Sequence, residues 1–167
     1  TLIRAAIHHS AIKRAALLPS SIGYVALSVF SDSTARELRA TVDSLVKGGA
    51  TSLVLDLRSN PGGLLDQGVA TADLFLDRGV RIASTAGRDT ADNVVYTDSA
   101  AQAWPKLAVV VLVDDKTASA AEVVAGALQD HDRAVVLGMT TYGKGSVQHV
   151  FPVTAGGAVR LTTARWR

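Results

Sequence analysis

Two short segments of this 167-residue chain set reactive side chains where chemistry can use them. The first, Thr117-Ala118-Ser119-Ala120-Ala121-Glu122, offers a hydroxyl, Ser119, just before a helix-like run over residues 120–129. The second, Tyr142-Gly143-Lys144-Gly145-Ser146-Val147-Gln148, offers an amine, Lys144, between two glycines and beyond a strand-like run over 133–137. A serine opening a helix and a lysine past the next strand can meet in space, as nucleophile and general base. A serine in that place also lies beside unpaired N–H groups and the positive end of the helix dipole, which favour an oxyanion. The plainer reading is a capping box, with Ser119 capping the helix and Glu122 reaching back, and caps are commoner than nucleophiles.

A lysine base makes a demand on its surroundings. Free lysine ionises near ~10.4, so the site must disfavour the charged form, and desolvation is the available means. Gly143 and Gly145 add no side chains, while Val147 and nearby apolar strands can keep water away. Gln148 can accept a hydrogen bond from the amine and orient it without adding a charge. The turn Asn60-Pro61-Gly62-Gly63 follows the apolar run 51–57 closely, so its N–H groups can face the same crevice as that of Ala120. Two such donors, one from Gly62 or Gly63 and one from Ala120, make an oxyanion hole. A plain strand-to-helix turn accounts equally for the same four residues.

Rival motifs lose their mechanism on inspection. Residues 138–144 match G-x-x-x-x-G-K, but Gly145 stands where a Ser or Thr would ligate Mg²⁺, and 146–153 reads as strand rather than helix. Ser10-Ala11-Ile12-Lys13 fits S-x-x-K, yet Ser31-Asp32-Ser33 and Lys116-Thr117-Ala118 each end on the wrong residue for the companion motifs. A triad of Ser119 with His131 and Asp130 or Asp132 puts the imidazole roughly 15 Å along the helix from the hydroxyl. His8 and His9 lack acidic or histidine neighbours at ligand spacing, so no metal is expected, and no cofactor.

The elements that must hold these residues are legible in turn. Hydrophobic residues make up 48% and charged residues 19%, the balance of a globular chain of single-domain size. The net charge is +2 with basic residues scattered, which argues against nucleic-acid binding. There are no cysteines, and no run approaches the ~20 apolar residues of a membrane span. Residues 1–20 suit helix or strand. A strand is expected over 22–30, then a helix over 35–47 with Leu38, Val42, Leu45 and Val46 on its inner face, stopped by Gly48 and Gly49. Runs 51–57 and 107–113 are apolar enough for strands buried on both faces. A helix over 64–76, a strand over 80–84, a surface excursion over 86–103 and a closing hairpin around Gly156 and Gly157 complete the reading. Strand and helix alternate from 22 to 137, so the fold class is α/β, with the site at the carboxyl ends of strands.

Four motifs in order now carry a resemblance: Ile22-Gly23-Tyr24; Leu55-Asp56-Leu57-Arg58-Ser59-Asn60-Pro61-Gly62-Gly63; Ala118 to Glu122 with Ala125-Gly126-Ala127-Leu128-Gln129-Asp130; and Tyr142 to Gln148. Together they resemble the C-terminal processing peptidases, or tail-specific proteases. The resemblance implies a crotonase-like (ClpP/crotonase) α/β core, Ser119 as nucleophile, Lys144 as base and Gln148 positioning the lysine. It also implies an oxyanion hole from Gly62 or Gly63 with Ala120. Thr117 and Ala121 depart from the usual serine-rich motif at positions other than the nucleophile. No segment has room for the PDZ domain these enzymes usually carry, so 1–167 is expected to be a single peptidase core cut from a longer protein. Implied partners are protein or peptide substrates with exposed C-terminal tails, in an extracytoplasmic setting, with membrane association through missing parts and homo-oligomer formation left open. The alternative is a non-enzymatic ligand- or peptide-binding module on the same fold.

Overall fold

The computed structural model describes residues 10–90, 93–154 and 156–166. Within the ambiguous N-terminal stretch, β1 spans Ile12–Leu18; His8 and His9 lie outside the described residues. After a 3-10 turn at Pro19–Ser21 the chain reverses into β2, Ile22–Leu27, antiparallel to β1. Helix α1, Thr34–Lys47, ends at Gly48 as expected. Leu38 and Val42 are buried and Leu45 packs against the core, but Val46 is 37% exposed. At about 100° per residue, the first three stay within one stripe and Val46 turns out of it.

The remaining elements are β3, Ser52–Asp56; α2, Leu65–Asp73; β4, Arg81–Gly87; β5, Val95–Thr97; β6, Ala108–Val113; α3, Ala120–Asp130; β7, Val135–Gly138; β8, Ser146–Pro152; and β9, Ala158–Trp166. They form two sheets in a mixed α/β fold. One has the order β1-β2-β3-β6-β7, with β2, β3, β6 and β7 parallel; the other, β5-β4-β9-β8, is antiparallel throughout. The polar stretch 86–103 supplies β5, which pairs antiparallel with Arg81 to Ser84 of the preceding strand β4, and the closing hairpin is β8 with β9.

The expectation that β3 and β6 are buried on both faces needs correction. Leu53, Leu55 and Leu57, with Val109, Val111 and Val113, form the core with Phe30, Phe75, Val124 and Leu128. The alternate residues Val54, Val110 and Leu112 are only half-buried. An apolar run states that a strand tolerates burial; which faces are covered depends on elements packed from elsewhere.

Beside the core, Asp98 at the end of β5 is 3% exposed. Burial, with the charges of Asp73 and Asp77 nearby, pushes its carboxyl from 3.8 up to about 6 although the Ala100 amide donates to it. Because the folded form holds this proton more tightly than the unfolded one, the stabilisation is complete at low pH and is lost as pH rises through about 6. Asp98→Asn keeps an acceptor for Ala100 and removes the buried charge. It is expected to stabilise the fold by about 1 to 2 kcal/mol at pH 8 and to give no gain at pH 4, as read from melting curves at the two pH values.

Candidate active site

β3 and β6 are hydrogen-bonded neighbours, with Asp56 opposite Leu112, so the loops leaving their carboxyl ends emerge side by side. Polar bonds then lock the loops together. Asp114 accepts the Ser59 amide at 2.8 Å and the Ser59 hydroxyl at 3.1 Å; the Thr117 hydroxyl donates to the Leu57 carbonyl at 2.9 Å, and the Ala118 amide to the Asn60 carbonyl at 3.0 Å. Burial alone would push the Asp114 carboxyl up, but the Ser59 and Lys116 amides and the Ser59 hydroxyl hold it below its ordinary value.

Asn60 organises the glycine turn. It is fully buried, its amide donates to the Leu27 carbonyl at 3.0 Å, and its Oδ1 accepts the Gly62 N–H at 2.9 Å. Gly62 has φ +91°, and a Cβ there would stand 2.7 Å from the Ser119 Cβ and 2.9 Å from the Ala120 nitrogen. Only glycine allows this turn to lie directly against the start of α3.

Ser119 sits at the helix N-terminus with φ 58° and ψ −120°, a backbone state that costs a non-glycine residue roughly 1 to 3 kcal/mol. A sharp strand-to-helix turn of this kind presents a side chain at the edge of a sheet. Glu122 reaches back as the capping box requires, its Oε2 accepting the Ser119 N–H at 2.7 Å. The same carboxylate does more. Oε2 also accepts the Lys144 N–H at 3.0 Å, and Oε1 accepts the Gly143 N–H at 2.6 Å and the Thr141 hydroxyl at 2.7 Å. The Ser119 and Lys144 amide nitrogens are therefore no farther apart than the sum of their two bonds to one oxygen. Further anchors fix the lysine loop: Tyr142 N–H on the Thr117 carbonyl and Trp166 N–H on the Gly145 carbonyl, both at 3.0 Å.

Ser119, Glu122 and Lys144 line one end of a cavity of about 800 Å³, and Arg81, Asp130 and His131 line it farther along α3. His131 Nε2 lies 2.8 Å from the Arg81 carbonyl oxygen, engaged there rather than with Ser119. Gln148 does not line the cavity. Its Nε2 bonds the Thr162 hydroxyl at a long 3.4 Å on the exposed side of β8, where the ladder with β9 shifts register between Val147 and Gln148. Such a bulge re-aims the side chains around it. Lys144 leads into strand β8 rather than a helix, so a phosphate-binding loop has no helix end to work with there. Among the described residues no three His, Asp or Glu side chains are placed to hold a metal.

Sequence reasoning missed two participants. Glu122 was legible only as a cap, because its bonds to 141–144 span a separation no local motif records. Asn60 was legible only as a turn residue, although the Asn-Pro-Gly-Gly order hinted that a side-chain acceptor would hold the turn.

Fold and site together define a mixed α/β protein with a serine on a strained helix start, an amine-bearing loop tied to it and a cavity leading away, a make-up suited to acyl transfer. The chain belongs to peptidase family S41, whose model matches residues 21–167. It is 43% identical over 147 residues to a carboxy-terminal-processing protease of Bartonella bacilliformis, covering 86% of this chain and 34% of that protein. It is 40% identical to the carboxy-terminal processing protease CtpA of Bacillus subtilis, covering 88% of this chain and 31% of that protein. The solved photosystem II D1 C-terminal processing protease superposes with a TM-score of 0.76 at 36% identity, over 95% of this chain and 42% of that one. The chain thus spans about a third of the length of these curated relatives.

Proposed function

We propose that residues 1–167 form a single crotonase-like peptidase core, and that it acts as a serine endopeptidase on proteins near their C-terminal tails. One observation carries this reading: a single carboxylate, Glu122, binds both the Ser119 turn and the Lys144 loop at the mouth of one cavity. The names of the relatives support the substrate class and the class of reaction.

In this mechanism the Ser119 hydroxyl attacks the peptide carbonyl while the Lys144 amine takes its proton, then returns it to the leaving amine. Water attacks the acyl-enzyme with the same base, releasing the acid and restoring Ser119. The oxyanion is held by the Ala120 N–H at the helix start and by one glycine amide of the 60–63 turn. Since the Gly62 N–H is already given to Asn60, Gly63 is the glycine we assign. Gln148 enters the scheme only by exchanging its long bond to Thr162 for one with the amine. An extracytoplasmic setting belongs to the same proposal.

A fluorophosphonate probe and an internally quenched tail peptide test it. The wild-type chain is expected to be labelled at one residue and to cleave the peptide, and Ser119→Ala to lose both while staying folded, its melting temperature lower by no more than the loss of one helix cap. Alanine has no hydroxyl to react, so any labelling retained by Ser119→Ala would place the nucleophile elsewhere.

A further inference from the structure

Helix α3 carries a glycine in its interior where the usual reasons for glycine do not apply. Gly126 is absent from the glycines with positive φ, and a Cβ built on it meets nothing within 4 Å. Gly68 makes the contrast: a Cβ there would come 3.0 Å from the Ala120 Cβ, so the approach of α2 to α3 explains it. Alanine at 126 would keep the helix, and glycine in a helix interior is disfavoured relative to alanine. What the missing side chain leaves open is the cavity. Gly126 lies with Val123 and Ala127 on the face of α3 that lines it, and Ile82, Ala83 and Trp166 line it from β4 and β9.

We infer that Gly126 is a specificity-determining position. It keeps clear a groove, continuous with Ser119, that receives an extended stretch of the peptide substrate bearing small or medium apolar side chains. This rests on the peptidase reading above. From Ser119 to Asp130 the helix runs about 16 Å at ~1.5 Å per residue. That matches about five extended residues at ~3.3 Å each. The walls between are apolar or lack a side chain, so they select by size and shape rather than by charge; Arg81, Asp130 and His131 supply polar groups only toward the far end.

The test is binding separated from turnover. In a Ser119→Ala background, a fluorescein-labelled ten-residue peptide of Ala, Ser, Val and Leu is titrated by anisotropy against the parent, Gly126→Ala and Gly126→Leu. Gly126→Leu is expected to weaken binding at least tenfold and Gly126→Ala about two- to threefold, with the Gly126→Ala melting temperature a few degrees above the parent. With Ser119 restored, kcat/KM of Gly126→Leu on the same peptide is expected to fall at least tenfold, mainly through KM. Equal binding by parent and Gly126→Leu, no binding by the parent, or a lower melting temperature for Gly126→Ala overturns the inference. If the wild-type chain fails to react with the fluorophosphonate while binding still responds to Gly126→Leu, the catalytic assignment fails and the groove stands.

Discussion

Lys144→Ala is expected to cut cleavage of a tail peptide by about 10⁴-fold or more, with a melting temperature within a few degrees of the parent. The two halves of that expectation come from different atoms. What the fold uses is the Lys144 backbone, whose N–H binds Glu122, and alanine keeps that bond. What the proposed chemistry uses is the amine, on a half-buried side chain at the cavity. Lys144→Arg is the sharper variant. A guanidinium keeps the positive charge but does not deprotonate in proteins, so it can attract an anion and cannot act as a base. Both variants are expected to be equally inactive. Arginine restoring a tenth or more of the rate would show that position 144 serves as a cation, and the Ser-Lys mechanism would be wrong.

The next largest effect is expected at Glu122. Its two oxygens accept four donors, two each, from Ser119, Thr141, Gly143 and Lys144. Glutamine is nearly the same shape but offers one oxygen, and its NH₂ would face two donors with nothing to accept them. Hydrogen bonds to a charged group contribute roughly 1.5 to 3 kcal/mol each, and leaving part-buried donors without an acceptor adds to the loss. Glu122→Gln is therefore expected to lower kcat by about 10²- to 10³-fold and stability by about 2 to 4 kcal/mol, close to the effect of Glu122→Ala. Kinetics and denaturant titration on both variants check this. A Glu122→Gln chain with near-parental kcat would mean that Ser119 and the lysine loop are held together by other contacts, and the carboxylate's role would reduce to capping α3.

These two residues also mark where sequence reading succeeds and stops. The placement of Ser119 before α3 and of the Asn60 to Gly63 turn after β3 was legible, because capping chemistry, helical periodicity and glycine-rich turns act over a few residues. The same holds for α1 with its glycine stop and for the β8–β9 hairpin. Val46 fell outside the buried stripe because the last turn of α1 could be assigned to either edge of a face. The apolar content of β3 and β6 was visible, but the incomplete covering of their second face was not.

By itself the sequence determined the order and kind of most elements, the α/β class, and the two segments on which reactive side chains sit, since each of these depends on interactions among near neighbours in the chain. Tertiary structure alone decided that β3 and β6 lie adjacent, that Glu122 joins residues more than twenty positions apart, and that β9 pairs with β4 and so brings Trp166 to the cavity. It also decided that Asn60 occupies the Gly62 amide and that Gln148 faces Thr162. Strand register and shared hydrogen-bond partners arise when distant segments compete for the same groups during packing. Local propensity carries no record of which competitor wins.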